Sequence, residues 1–320
     1  MPATRSLYVH IGLHKTGSTA IQAALLENAP ALARHGILYP VAGRPTLSAV
    51  RFGHHELAWA VLNRNSATLD VYRILKNEIE QESGNILISS EEFNKFTENE
   101  IQSFCKLMPF EKHIIFYFRK QSDIYQGLYG TDITYNRDLR SVHEYVETTD
   151  VEYNFLRLFN NWRNAPGVLS VIARPYDRRR FESGNVVRDF ERTLNLPPLQ
   201  GVDGAPDLNA SLPAYAALAV QNLWRRGTEP GVVYHIVDFL ARKSAVEKRS
   251  YQYLSPQEAF NIDMSYYETN QRFCELTGND MAFLEPSMPK DEAPETFDSP
   301  TVKKTLLEVE QYLHGVAKKT

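Results

Sequence analysis

The stretch HIGLHKTGSTAIQ, residues 10–22, holds the side chains best suited to chemistry. Gly12 and Gly17 follow the G-x-x-x-x-G spacing of a loop that wraps its backbone around a phosphate. Lys15 adds an ammonium group inside that loop, and Thr16, Ser18 and Thr19 add hydroxyls around Gly17. An ATP-binding loop carries its lysine directly after the second glycine, and here that position is Ser18. The expected ligand is an anion of the phosphate or phosphosulfate kind, met by backbone N–H groups, a helix N-terminus and Lys15.

Such a loop works only between a buried strand and a helix. Residues 6–13 read as the strand, and apolar positions at Ile21, Ala24, Leu25, Leu26 and Leu32 read as a helix over 18–34. Three more apolar runs, 85–90, 113–119 and 168–174, have the continuous character of parallel strands covered on both faces. Helical patterns at 71–81 and 142–149 separate them. The expected fold is α/β: a P-loop-like doubly wound parallel sheet flanked by helices. Beyond residue 205 the pattern is helical, at 211–226, 232–248, 263–278 and 301–319. An acidic, proline-rich stretch, 285–300, reads as an extended connection. The expected organisation is an α/β core, 1–204, with a helical C-terminal part, 205–320, packed on it.

Composition narrows the partners. A net charge of −4 argues against a general nucleic-acid binder. Two distant cysteines, Cys105 and Cys274, make neither a cysteine metal site nor a disulfide framework. No secretory leader and no transmembrane run are expected, and the cytoplasm is the expected compartment.

HKTGSTAIQ resembles the 5′-phosphosulfate loop of the sulfotransferases that use 3′-phosphoadenosine 5′-phosphosulfate, PAPS. Their pattern, K-[ST]-G-[ST]-T, is met by Lys15, Thr16, Gly17, Ser18 and Thr19. FYFRKQSDIYQGLY (116–129) resembles the same family's 3′-phosphate segment, with Arg119 at the arginine position. The serine expected eight residues on is Gly127; Ser122 lies nearer but is not the matching position. IARPYDRRRFESGNVVRDFERTLNL (172–196) and LNASLP (208–213) resemble segments of bacterial carbohydrate sulfotransferase-like proteins.

The resemblance implies transfer of a sulfuryl group from PAPS, as co-substrate, to a hydroxyl of a carbohydrate or glycolipid. It implies no metal for the transfer, and it puts Lys15 at the bridging region of the phosphosulfate. The acceptor hydroxyl must lose a proton, so a general base is needed. Residues 52–59 offer His54 and His55, and residues 88–93 offer Glu91 and Glu92 past a strand end. His55 is favoured, with His54 second and Glu91 the competitor; Glu92 reads as a solvated helix start. Two other functions fit the loop: a P-loop small-molecule kinase using ATP and magnesium, and a non-catalytic nucleotide-binding protein.

Overall fold

The structure is a computed structural model that describes residues 5–46, 51–63, 67–149, 153–202, 212–244, 252–288 and 293–317. The expected boundary at 204/205, residues 208–211 of LNASLP and Tyr251 lie outside the described residues, as do 245–248 of one expected helix and 289–292 of the connection.

The chain forms two compact units. One comprises Met1–Arg119, Tyr153–Asn209 and Glu268–Leu284; the other comprises Lys120–Glu152, Ala210–Tyr267 and Glu285–Thr320. A single division near residue 204 does not describe them, because residues 120–152 go with the helical unit and 268–284 with the sheet unit.

The first unit is α/β. Its strands are β1 (Ser6–Ile11), β2 (Ile37–Leu38), β3 (Asn85–Ser90), β4 (Glu111–Phe118) and β5 (Val168–Pro175). They form one parallel sheet in the order β2-β3-β1-β4-β5. β1 is central, and the chain winds to both sides of it. Pairing of Ile11 with Ser90 and with Phe116 brings the carboxyl ends of β1, β3 and β4 level. The crevice beyond those ends, where the strand order reverses, is the usual ligand position in open α/β sheets.

Between the strands run α1 (Ser18–Glu27), α2 (Ala29–Arg34), α3 (His55–Asn63), α4 (Ala67–Gln81) and α5 (Glu98–Leu107). The expected helix 18–34 is split at Asn28. Pro30 in a continuous helix would lack its N–H and press its ring on the preceding turn. Asn28 makes the break useful: its side chain donates to the Ala24 and Gln200 carbonyls, and its oxygen accepts from Gln200 N–H. One sheet face buries Leu87, Ile115 and Tyr117 under Ile21 and Leu25 of α1 and residues 186–190. On the other face Phe118 meets Phe155 and Phe273 at ring separations of 5.6 and 5.0 Å. Cys105 and Cys274 are buried free thiols.

The helical unit holds α6 (Gln121–Tyr135) and α7 (Val142–Thr148). The chain then returns to the sheet unit for α8 (Phe155–Arg163) and α9 (Val186–Leu194). Next come α10 (Ala214–Arg225), α11 (Pro230–Lys243) and α12 (Pro256–Ser265) of the helical unit. α13 (Tyr267–Thr277) carries Phe273 of the sheet unit, and α14 (Pro300–Ala317) belongs to the helical unit. The expected helix 263–278 is thus two: α12, begun by a capping box of Ser255 and Glu258, ends at Ser265, and α13 starts at Tyr267. Trp224 on α10 donates to the Thr134 carbonyl of α6 at 3.1 Å. No helix among the described residues is long and apolar enough to cross a membrane.

Candidate functional site

β1 stops at Ile11, and Gly12 N–H donates to the Ser90 carbonyl at 3.2 Å as the chain turns away. Thr16 closes the loop from inside: it is fully buried, and its hydroxyl donates to the Leu13 carbonyl at 2.6 Å. Lys15 and Gly17 both have left-handed backbone, φ 63° and 77°. At Gly17 a Cβ would come within 2.8 Å of Val186 Cγ1 and 3.1 Å of the Tyr176 ring, so only glycine fits. α1 starts at Ser18 with no side-chain cap. The positive end of its dipole therefore opens toward the loop. Thr19 is half-buried in the first turn.

Arg119 follows β4. Its Nη1 donates to the Lys15 carbonyl at 3.2 Å, and its guanidinium lies 5.9 Å from the Tyr176 ring centre. Arg119 and the loop lysine are thus brought together across the ends of β1 and β4. Ser122 and Gly127 belong to the helical unit. There the Ser122 hydroxyl donates to Asp263 at 2.9 Å, and Gly127 is buried in α6.

The residues read as bases separate into two kinds. His54 is fully buried; Ser89 N–H donates to its Nδ1 at 3.2 Å, and its Nε2 donates to the Pro40 carbonyl at 3.0 Å. Both nitrogens are committed, and burial pulls its pKa down to about 3. His55 opens α3, with Nδ1 3.0 Å from Ser90 Oγ and Nε2 3.6 Å from Glu91 Oε2. Trp59, one turn along, stacks on the imidazole at 5.8 Å and is 36% exposed.

Glu91 sits directly past β3. Burial pushes its carboxyl up, but His55 and hydrogen bonds from Ser18 and Gln22 outweigh that and hold it below the usual carboxylate range. It is an ionised carboxylate at neutral pH. Glu92 is occupied by Lys95 at 2.7 Å.

No protein-family model matches the chain. An uncharacterized protein of Archaeoglobus fulgidus is 26% identical over 142 residues, 43% of this chain. The match spans 38% of that protein's length.

Four site residues were not anticipated. Gln22 donates to Glu91 Oε2 at 2.9 Å and to Ser89 Oγ at 3.1 Å. Ser89 Oγ in turn lies 2.8 Å from His10 Nδ1, and Ser90 Oγ holds His55. Gly53 lets the backbone press on the pair, since a Cβ there would be 2.7 Å from His55 Nε2. One signal was available: Ser18 and Gln22 are four apart, hence on one face of α1. The serine pair ending NILISS carried a second, as hydroxyls at the mouth of an otherwise apolar strand.

Proposed function

We propose that this chain is a PAPS-dependent sulfotransferase of P-loop-like fold, working in the cytoplasm on a hydroxyl of a carbohydrate or glycolipid. The carrying observation is the β1–α1 junction. Its glycine cradle excludes any Cβ at Gly17, its lysine lies within the loop, and Arg119 braces the Lys15 carbonyl. A phosphosulfate would be held by Lys15, Ser18, Thr19 and the N–H groups of the loop and first turn. Arg119 is the candidate for the 3′-phosphate. Thr16, although part of the motif, acts by shaping the loop.

Sulfuryl transfer, by analogy with phosphoryl transfer, builds negative charge on the departing phosphate. Lys15 and the dipole of α1 neutralise charge at that position. Glu91, past the end of the neighbouring strand, and His55, at the start of α3, form the proton-accepting pair. His54 has no free ring nitrogen, so its part is structural.

The test is calorimetric titration with adenosine 3′,5′-bisphosphate and, separately, ATP with magnesium. Heat from the bisphosphate is expected, and its loss in a folded Lys15→Ala variant. Heat from ATP–magnesium alone would favour a kinase. Tight bisphosphate binding with no turnover on any saccharide acceptor would favour a non-catalytic binder.

A further inference from the structure

The chain has three tryptophans, and two of them belong to the core: Trp162 is fully buried and Trp224 is 7% exposed. Trp59 is 36% exposed and stands beside the proton-accepting pair. It follows His55 by one turn of α3, and its indole lies on the imidazole with ring centres 5.8 Å apart and planes inclined by 28°. The imidazole is itself anchored. Ser90 Oγ lies 3.0 Å from Nδ1, and Glu91 Oε2 lies 3.6 Å from Nε2. Gly53 leaves no slack there, since a Cβ would be 2.7 Å from Nε2. The indole is thus a surface ring on a fixed support, and His55 joins it to the carboxylate.

We infer that Trp59 is the platform on which the acceptor rests, and that the acceptor presents a pyranose ring to it. The inference rests on reading His55 and Glu91 as the proton-accepting end of the site. The negative face of an indole attracts the hydrogens of C–H bonds. A pyranose with equatorial substituents presents a face of axial C–H bonds and a rim of hydroxyls. Stacked on Trp59, it brings that rim to the imidazole and the carboxylate beyond it.

The surroundings of the indole favour a sugar over an apolar or phenolic acceptor, which is held in an enclosed, mostly apolar cleft. Trp59 is an open ring with polar neighbours. Besides His55 and the Glu91 carboxylate there is Glu56, exposed and three residues before Trp59, hence its neighbour on the helix surface. Its carboxylate oxygens are acceptors for sugar hydroxyls. An indole has only two side-chain torsions, so little freedom is lost when a ligand settles on it. Trp59 exchanges no proton; its contribution lies in the affinity and orientation of the acceptor.

The probe is methyl β-D-glucopyranoside, whose ring substituents are all equatorial. Its binding to the full chain is followed by ligand-observed NMR for the wild type, Trp59→Ala and Trp59→Phe, and calorimetry with adenosine 3′,5′-bisphosphate is run on the same samples. Affinity for the glycoside is expected to fall about tenfold in Trp59→Ala, the loss of one stacked ring, and to stay within about threefold in Trp59→Phe. Because Trp162 and Trp224 are buried, the tryptophan emission of the wild type is expected to change as the glycoside saturates. Equal affinity in Trp59→Ala overturns the platform, and heat from the bisphosphate then leaves the donor reading standing. A glycoside that binds without changing the emission also overturns it, and this readout needs no variant should Trp59→Ala fail to fold. No binding to the wild type overturns it as well. Binding of 4-methylphenol in place of the glycoside, lost in Trp59→Ala, overturns the pyranose. Glycoside binding that depends on Trp59, with no heat from the bisphosphate, supports the platform and overturns the donor reading.

Discussion

At His54 an amide hydrogen enters one ring nitrogen and a carbonyl takes the hydrogen of the other. At His55 the ring meets a hydroxyl and a carboxylate, and an exposed indole lies over it. Removing the first leaves two buried backbone groups unpaired, at a cost of about 1–3 kcal/mol each. His54→Ala should therefore lower stability in denaturant unfolding and leave bisphosphate affinity of the folded protein unchanged. His55→Asn should do the reverse. Its unfolding midpoint moves little, and sulfate transfer falls about 10²–10⁴-fold, the usual contribution of a general base. A stable, inactive His54→Ala with an active His55→Asn would exchange the roles.

The β1–α1 junction concentrates backbone strain. Two closely spaced excursions to left-handed backbone, at Lys15 and Gly17, turn the chain tightly enough to aim the start of α1 at the strand ends. Gly36 provides a control, with φ 74° and nothing within 4 Å of the place a Cβ would take. Gly36→Ala should cost about 1–2 kcal/mol, the strain of a side chain in left-handed backbone. Gly17→Ala adds overlap with Val186 and Tyr176, so its melting temperature should fall further and bisphosphate binding should weaken with it. Equal melting temperatures for the two variants would mean that the Tyr176–Val186 wall yields. Across the sheet, Glu91, just past β3, lies at the same level because Ile11 and Ser90 are in register.

The two units carry opposite dependences on pH. In the sheet unit burial lowers the His10 pKa from 6.5 to about 4. The stability it brings is complete above pH 6.5 and is lost as pH falls toward 4, because the unfolded chain binds the proton first. In the helical unit burial raises the Asp263 carboxyl from 3.8 to about 6, despite two hydrogen bonds from Ser122. Its contribution is present below 3.8 and is lost as pH rises through about 6. Each shift corresponds to about 3 kcal/mol. Calorimetric scans across this range should show His10→Leu flattening the acid side of the sheet unit's transition. Asp263→Asn should raise the helical unit's transition above pH 6 while leaving the other in place.

Hydrophobic period and glycine placement were enough to fix the strands at 85–90 and 168–174 and the strand–loop–helix order around Lys15, since these depend on neighbours in the chain. The two-residue β2 left no periodic trace, and Pro30 split a helix whose apolar pattern runs through it. Residue type alone offered His54, His55 and Glu91 as rivals. What separated them was the partner of each ring nitrogen and carboxylate oxygen, and those partners come from β1, β3, α1 and the segment around Pro40. Likewise the helical unit begins in the middle of the sequence, because residues 120–152 find their packing partners beyond residue 210. Charge state and unit membership are set by contacts between distant segments, and a linear pattern contains no record of those contacts until the chain has folded.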